Sequence, residues 1–445
     1  MMKFLMMMFM MNFLLKKKYI ILNHLMLFMI MFMIMMKMNL NNFYYNYIYY
    51  MFSYDFISFM LILLSFWIII LANLSNLKFL KKKFNKYFIF IMNNMLILLN
   101  MCFLSMNLLM FYIYFESSII PILLLIMGWG MQIDRLQASL YLLFYTLFGS
   151  LPLLIMMMIL YKNMFSLNFI MMNMITSNIM NNFYFYLMLI LAFLIKMPMY
   201  FLHSWLPKAH VEAPISGSMI LAGIMLKLGS YGLIRMMMFM KYIFIKYNMI
   251  MMNLSMIGGI YASIMCLNIN DYKIIVAYSS IVHMSSLMSS MLTYNYWGYI
   301  GSFLMMIAHG LCSSAMFCLV NFNYERLHSR STNINKGMIN ILPSMSMWWF
   351  LICIINMSSP PSMNLISEIM IFNSLINWSK LMILYLIIMT FFSSCYTIFI
   401  YSFSQHGKIN FNMFNFNMMN CREFFIIMMH WIPLNFTILN LNLMF

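Results

Sequence analysis

About fourteen times between residues 4 and 443, this chain runs for about 20 mostly apolar residues before a polar interruption, the length that crosses a hydrocarbon core. The runs lie near 4–15, 19–36, 56–77, 87–106, 107–127, 136–160, 183–202, 214–239, 243–267, 273–294, 297–322, 341–373, 379–402 and 424–443. The first is short, and the fourth and fifth are barely separated. In lipid every backbone N–H and C=O must be satisfied within the chain, and uncharged runs of this length can do so only as helices. The expected fold is therefore an all-α polytopic membrane protein. No connection is long enough for a soluble domain, so residues 1–445 read as a single transmembrane domain.

Only 7% of residues are charged and 65% are hydrophobic, including 65 Met. Lys outnumbers Arg twenty to five, and Gly (14) and Pro (9) are scarce. Flexible Met packs tolerantly and is a poor choice for specifying a core. AT-rich codons explain the Met, Ile, Asn, Phe, Tyr and Lys excess better than packing does, which points to an organelle genome. The N-terminus agrees, having no Arg- and Ser-rich transit peptide. The seven Cys form no CxxC and no metal-ligand spacing, and most sit in apolar runs as small hydrophobes.

A net charge of +17 could suggest nucleic acid, but its distribution excludes that reading. With alternating spans, one side receives Lys16, Lys17, Lys18, Lys78, Lys81, Lys82, Lys83, Lys86, Arg135, Lys208, Lys273, Arg326, Arg330, Lys336, Lys408 and Arg422. The other receives Lys3, Lys37, Lys162, Lys241, Lys246 and Lys380. Sixteen against six is the positive-inside asymmetry. It favours an even number of spans with both termini on the positive-poor side. A basic rim facing solvent and lipid headgroups accounts for the Lys runs.

Ionisable groups at membrane depth cost at least about 2.5–3.5 kcal/mol each and mark function by default. Glu116 lies in LMFYIYFESSIIPILLL, Lys196 in LILAFLIKMPMYF, Lys227 in MILAGIMLKLGSYG and Glu368 in PPSMNLISEIMIFN. Structural alternatives are an ion pair bracing two helices for Glu116 and Lys196, and a single interhelical hydrogen bond for Glu368. Snorkelling is the alternative for Lys227, which however lies about thirteen residues from either end of its span. Two acids and two amines in one bundle can pass a proton among themselves. His283 (VAYSSIVHMSSL) and His309 (GSFLMMIAHGLCSS) are weaker signals, since one buried His often only satisfies a hydrogen bond. His203 follows Lys196 by seven residues, the same face two turns on if the helix were unbroken. His210 lies beyond Pro207, at the end of the span or in the loop. A His203–His210–Glu212 metal site would lack a fourth ligand, and no helices carry paired His for haem.

Pro198 removes a backbone donor two residues after Lys196, and Pro360 and Pro361 do so about two turns before Glu368. Helix breaks at membrane depth survive where they are buried in protein or line a wet cavity. If spans 4–8 (87–239) and 9–13 (243–402) are two five-helix repeats, the broken spans 7 and 12 are equivalent members. Residues 1–86 then supply three N-terminal helices and 403–445 a C-terminal one. Paired discontinuous helices point to a transport path; kinks for packing are the alternative.

KMPMYFLHSWLPKAHVEAPISGSMILAGIMLKLGSYGLIR, spanning 196–235, resembles the most recognisable segment of the antiporter-like membrane subunits of mitochondrial proton-pumping NADH:ubiquinone oxidoreductase, respiratory complex I. GWGMQIDRLQASLYLLFYTLFGSLPLL, AYSSIVHMS, IAHGLCSSAMFCLVN, NYERLHSR and PPSMNLISE follow that family's order, and the likeness covers nearly the whole chain. The resemblance implies fourteen helices with two inverted five-helix repeats. It implies that the family's helix-5 glutamate falls on Glu116, its broken-helix-7 lysine on Lys196 and its helix-8 lysine on Lys227. Its helix-12 glutamate falls on Glu368, and its histidines on His203, His210, His283 and His309. Phe201 and Ser204 depart from the family's usual Gly and Leu, Ile133–Asp134 from Pro-Glu, and Ser367 from Gly. The subunit 5 relative carries a long lateral helix for which a chain stopping at Phe445 has no room. The subunit 2 relative is shorter in animals and lacks NYERLHSR.

The resemblance further implies an organelle-encoded inner-membrane protein, single-copy in a hetero-oligomer beside antiporter-like subunits 2 and 5 and lipid. NADH, FMN, iron–sulfur clusters and ubiquinone are expected in partner subunits, since this chain shows no redox centre of its own. The expected function is proton translocation, with Lys196 as a switchable cation: an ionised Glu116 nearby favours its charged form, and desolvation opposes it. A stand-alone sodium/proton exchanger and a scaffold whose charges only hold helices remain the alternatives at this point.

Overall fold

The computed structural model describes residues 2–13, 20–37, 46–76, 85–174, 182–408, 418–439 and 441. The lysines at 16–18, 78 and 81–83 lie outside these. The helices are α1 (Met2–Phe13), α2 (Ile20–Met35), α3 (Phe56–Ser75), α4 (Asn85–Leu104), α5 (Leu108–Ser117), α6 (Ile119–Trp129) and α7 (Arg135–Met164). There follow α8 (Phe169–Met174), α9 (Phe183–Lys196), α10 (Trp205–Glu212), α11 (Ile215–Ile220), a π-helical turn at Leu221–Met225 and α12 (Leu226–Phe239). The remainder are α13 (Lys241–Asn268), α14 (Tyr272–Leu292), α15 (Tyr296–Leu327), α16 (Met338–Ile341), α17 (Pro343–Asn356), α18 (Met363–Trp378), α19 (Met382–Gln405) and α20 (Cys421–Leu439).

These helices fall on the segments expected from hydropathy. Nine helices among the described residues are long and apolar enough to cross a membrane, and shorter apolar ones cover Leu22–Met35, Phe183–Lys196 and Pro343–Asn356. One element departs from the all-α expectation. The strands β1 (Asn46–Tyr49) and β2 (Phe52–Tyr54) pair antiparallel, with Asn46 opposite Tyr54 and Tyr49 opposite Phe52. The segment is aromatic and too short and polar to span, and such residues suit a small hairpin.

The chain divides into two compact units, each with its own interior. The first comprises residues 1–196, 212–220 and 224–247; the second comprises 197–211, 221–223 and 248–445. In the first unit α7 and α9 pack closely because Gly149 has no side chain; a Cβ there would stand 2.9 Å from the Ala192 Cα. Behind them Phe111, Phe115 and Phe193 form an aromatic cluster with ring centroids 5.6–6.2 Å apart. Asp55 caps α3, exchanging hydrogen bonds with Ser58.

In the second unit the 32-residue α15 is buried along its span, as expected of a helix that is apolar all round. Gly301 lets α18 lie against it, a Cβ there standing 3.0 Å from the Ile371 nitrogen.

Both expected helix breaks are present. α9 stops at Lys196, and helix resumes at Trp205. The phase relation between Lys196 and His203 therefore does not apply, because no continuous helix joins them. α17 stops at Asn356 and α18 starts at Met363. There the freed Ile355 carbonyl accepts from the Ser358 N–H (3.0 Å) and from Asn364 Nδ2 (2.9 Å). The Ile354 carbonyl accepts from the Ser359 N–H (3.2 Å) and Oγ (3.1 Å). A buried break persists when its backbone groups find such partners.

Candidate functional site

Lys196 is the last residue of α9 and is 3% exposed. Its ammonium donates to the Phe115 carbonyl at 2.9 Å and stands 3.2 Å from the centroid of the Phe115 ring. The carbonyl is presented at a flexure between α5 and α6. There Ser118 Oγ bonds the same oxygen at 2.7 Å, and Pro121 cannot donate to the turn behind it. Glu116, the next residue, interacts with Lys196 through space but is not its hydrogen-bond partner. One Glu116 oxygen, Oε1, is buried without a hydrogen bond. The direct Glu116–Lys196 ion pair considered from sequence is thus replaced by a carbonyl and a π-face, neutral acceptors that a cation can leave at modest cost.

Lys227, also in the first unit, is 0% exposed and lies in the first turn of α12. The π-helical turn ends two residues before it. Such turns recur at functional sites, and this one carries no Pro or other sequence signal. At the far end of α12, Arg235 forms a buried ion pair with Asp55 at 2.5 Å and stacks over the Tyr231 ring. Sequence reasoning missed this pair, whose members are separated by about two-fifths of the chain.

The second unit brings three of the expected residues together. His283 Nδ1 on α14 lies 3.5 Å from Glu368 Oε1 on α18, and the rings of His283 and His309 are 5.6 Å apart. Glu368 Oε2 accepts from Ser358 Oγ at 2.5 Å. His203 and His210 occupy other settings. His203, in the first break, stacks on Tyr200 (5.8 Å) and meets the edge of Tyr278 (6.1 Å). His210, in α10, stacks on Phe317 at 4.6 Å. Phe201, one of the departures noted above, has φ +72, a left-handed conformation in which glycine is unstrained.

Family models and relatives agree along the chain. Residues 1–104 match the model of the NADH-ubiquinone oxidoreductase chain 4 amino terminus, and residues 105–395 that of the NADH:quinone oxidoreductase/Mrp antiporter transmembrane region. NADH-ubiquinone oxidoreductase chain 4 of Ceratitis capitata is 51% identical over 401 residues, 89% of this chain and 88% of the relative. The Aedes aegypti protein of the same name is 47% identical over 404 residues, 90% of each chain. A chain of respiratory complex I from Thermus thermophilus with bound NADH superposes with a TM-score of 0.85 over 95% of this chain and 92% of its own. At 19% identity that likeness speaks for the fold. With relatives this similar across nine-tenths of its length, the chain belongs to the NADH-ubiquinone oxidoreductase chain 4 family.

Proposed function

We propose that this chain is a proton-translocating membrane subunit of complex I, moving protons across the inner mitochondrial membrane through its buried Glu, Lys and His residues. The family supplies the setting, a complex that oxidises NADH and reduces ubiquinone. The observation that carries the residue assignment is the setting of Lys196. A buried ammonium at a helix break, held by a backbone carbonyl and an aromatic face, can gain and lose its proton without breaking a salt bridge.

In this reading Lys196 Nζ takes a proton while Glu116 is ionised and nearby, and gives it up when that attraction weakens. Lys227 Nζ receives it, and Glu368 passes it towards the positive-poor side. His203, His283 and His309 bridge with water, and His210 orders the end of the broken helix. Moving one charge against 100 mV costs about 2.3 kcal/mol, which a chain without a redox centre must draw from its partners. FMN, iron–sulfur clusters and ubiquinone belong in this reading to partner subunits, and antiporter-like subunits 2 and 5 are its expected neighbours. The test is Lys227→Met, which keeps volume and removes the titrating amine. The complex should assemble and co-migrate with NADH-oxidising activity in mild detergent, yet pump far more slowly. Normal pumping would refute the relay.

A further inference from the structure

The break between α17 and α18 holds a side chain that the relay above does not use. Ser358 adopts φ +59, in the left-handed region that L-residues other than Asn and Asp rarely visit. Its hydroxyl meets Glu368, ten residues further on, and Oγ donates to Oε2 at 2.5 Å. The other oxygen, Oε1, lies 3.5 Å from His283 Nδ1. A Glu carboxylate rotates readily about its terminal torsion, so holding one oxygen aims the other. At 3.5 Å the imidazole and carboxylate are at the outer limit of a direct hydrogen bond, where aim decides whether a proton can cross. If the backbone alone needed the left-handed turn, glycine would provide it without strain.

We propose that Ser358 is a positioning residue, whose hydroxyl clamps Glu368 Oε2 so that Oε1 receives the proton from His283 Nδ1. In that step the N–H bond of protonated His283 breaks and an O–H bond forms on Glu368. The imidazole becomes neutral, the carboxylate becomes the acid, and charge is conserved. The assignment rests on the relay reading of Glu368.

The experiment compares Ser358→Gly, Ser358→Asn and Glu368→Gln in the intact complex in inner-membrane vesicles. Gly removes the hydroxyl and suits the backbone; Asn tolerates the left-handed conformation and restores an N–H donor. Ser358→Gly should assemble fully and pump about tenfold more slowly, the scale set by losing a hydrogen bond to a charged group. Its infrared spectrum should show a shifted carboxylate stretch for the band that Glu368→Gln removes. Ser358→Asn should recover most of the rate. A role in the turn alone would leave the band unmoved and the Gly variant active, which overturns the proposal. If Ser358→Gly does not assemble, Ser358→Ala removes the same hydroxyl and is read by the same band and rate. Should Glu368→Gln pump normally, the relay itself fails. Should Glu368→Gln stop pumping while Ser358→Gly keeps its rate and band, only the role of Ser358 falls.

Discussion

Replacing Glu116 by Gln keeps its size and hydrogen-bonding capacity and deletes its charge, so it separates a charge-modulating role from a bracing one. The Lys196 ammonium is held by the Phe115 carbonyl at 2.9 Å and by the face of the Phe115 ring, neither of which carries net charge. Glu116 is then the anion that can tip its protonation. Two opposite unit charges about 6 Å apart at an effective dielectric of about 20 attract by roughly 2.8 kcal/mol, the scale a nearby carboxylate could exert on the amine. A bracing hydrogen bond between membrane helices would be worth only about 0.6 kcal/mol, and Gln would keep much of it. The assay is dye-reported proton uptake by vesicles, normalised to assembled complex on a native gel, with NADH oxidation measured with and without uncoupler. Glu116→Gln should assemble normally and lose most pumping and coupled NADH oxidation. Glu116→Asp should be milder, since only one methylene of reach is lost. An assembled Glu116→Gln complex pumping at the normal rate would end the charge-modulation argument.

From the sixteen-to-six charge split, the loops containing Lys81 and Arg326 are expected to face the matrix and both termini the intermembrane space; protease cleavage of the Arg326 loop from outside in intact mitoplasts would reverse this expectation. Arg235→Met strands the Asp55 carboxylate in a buried site and should lower the stability of the chain by about 3–5 kcal/mol. Adding Asp55→Asn should recover much of that loss in thermal melts of the complex, and a double variant no better than the single one would contradict the pairing. Phe201→Gly should relieve roughly 1–2 kcal/mol of backbone strain at φ +72 and raise the melting temperature; an unchanged or lower value would show that the ring contributes more than the turn costs.

What could be read in advance depended on whether the cause resided in a single residue. Pro198 and the Pro360–Pro361 pair announce the two breaks because a missing N–H belongs to the residue itself, and helix stops at Lys196 and at Asn356. The spans were legible because lipid leaves the backbone few other solutions. The hairpin at 46–54 was not, being a short aromatic stretch among much longer apolar runs. The partner of Lys196 was invisible for another reason: a backbone carbonyl has no signature in sequence, whereas Glu116 does. Asp55 and Arg235 meet only through tertiary packing. The π-turn before Lys227 has no marking residue, and Ser358 reads as ordinary loop composition beside two prolines.

The most direct measurement is the number of protons taken up per NADH oxidised by purified complex in sealed liposomes, with Lys196 intact and with Lys196→Met. The relay predicts that the variant assembles, passes electrons from NADH to an artificial acceptor at the normal rate, and translocates markedly fewer protons per NADH. An assembled Lys196→Met complex with an unchanged proton yield would show that the buried amine does not carry the proton.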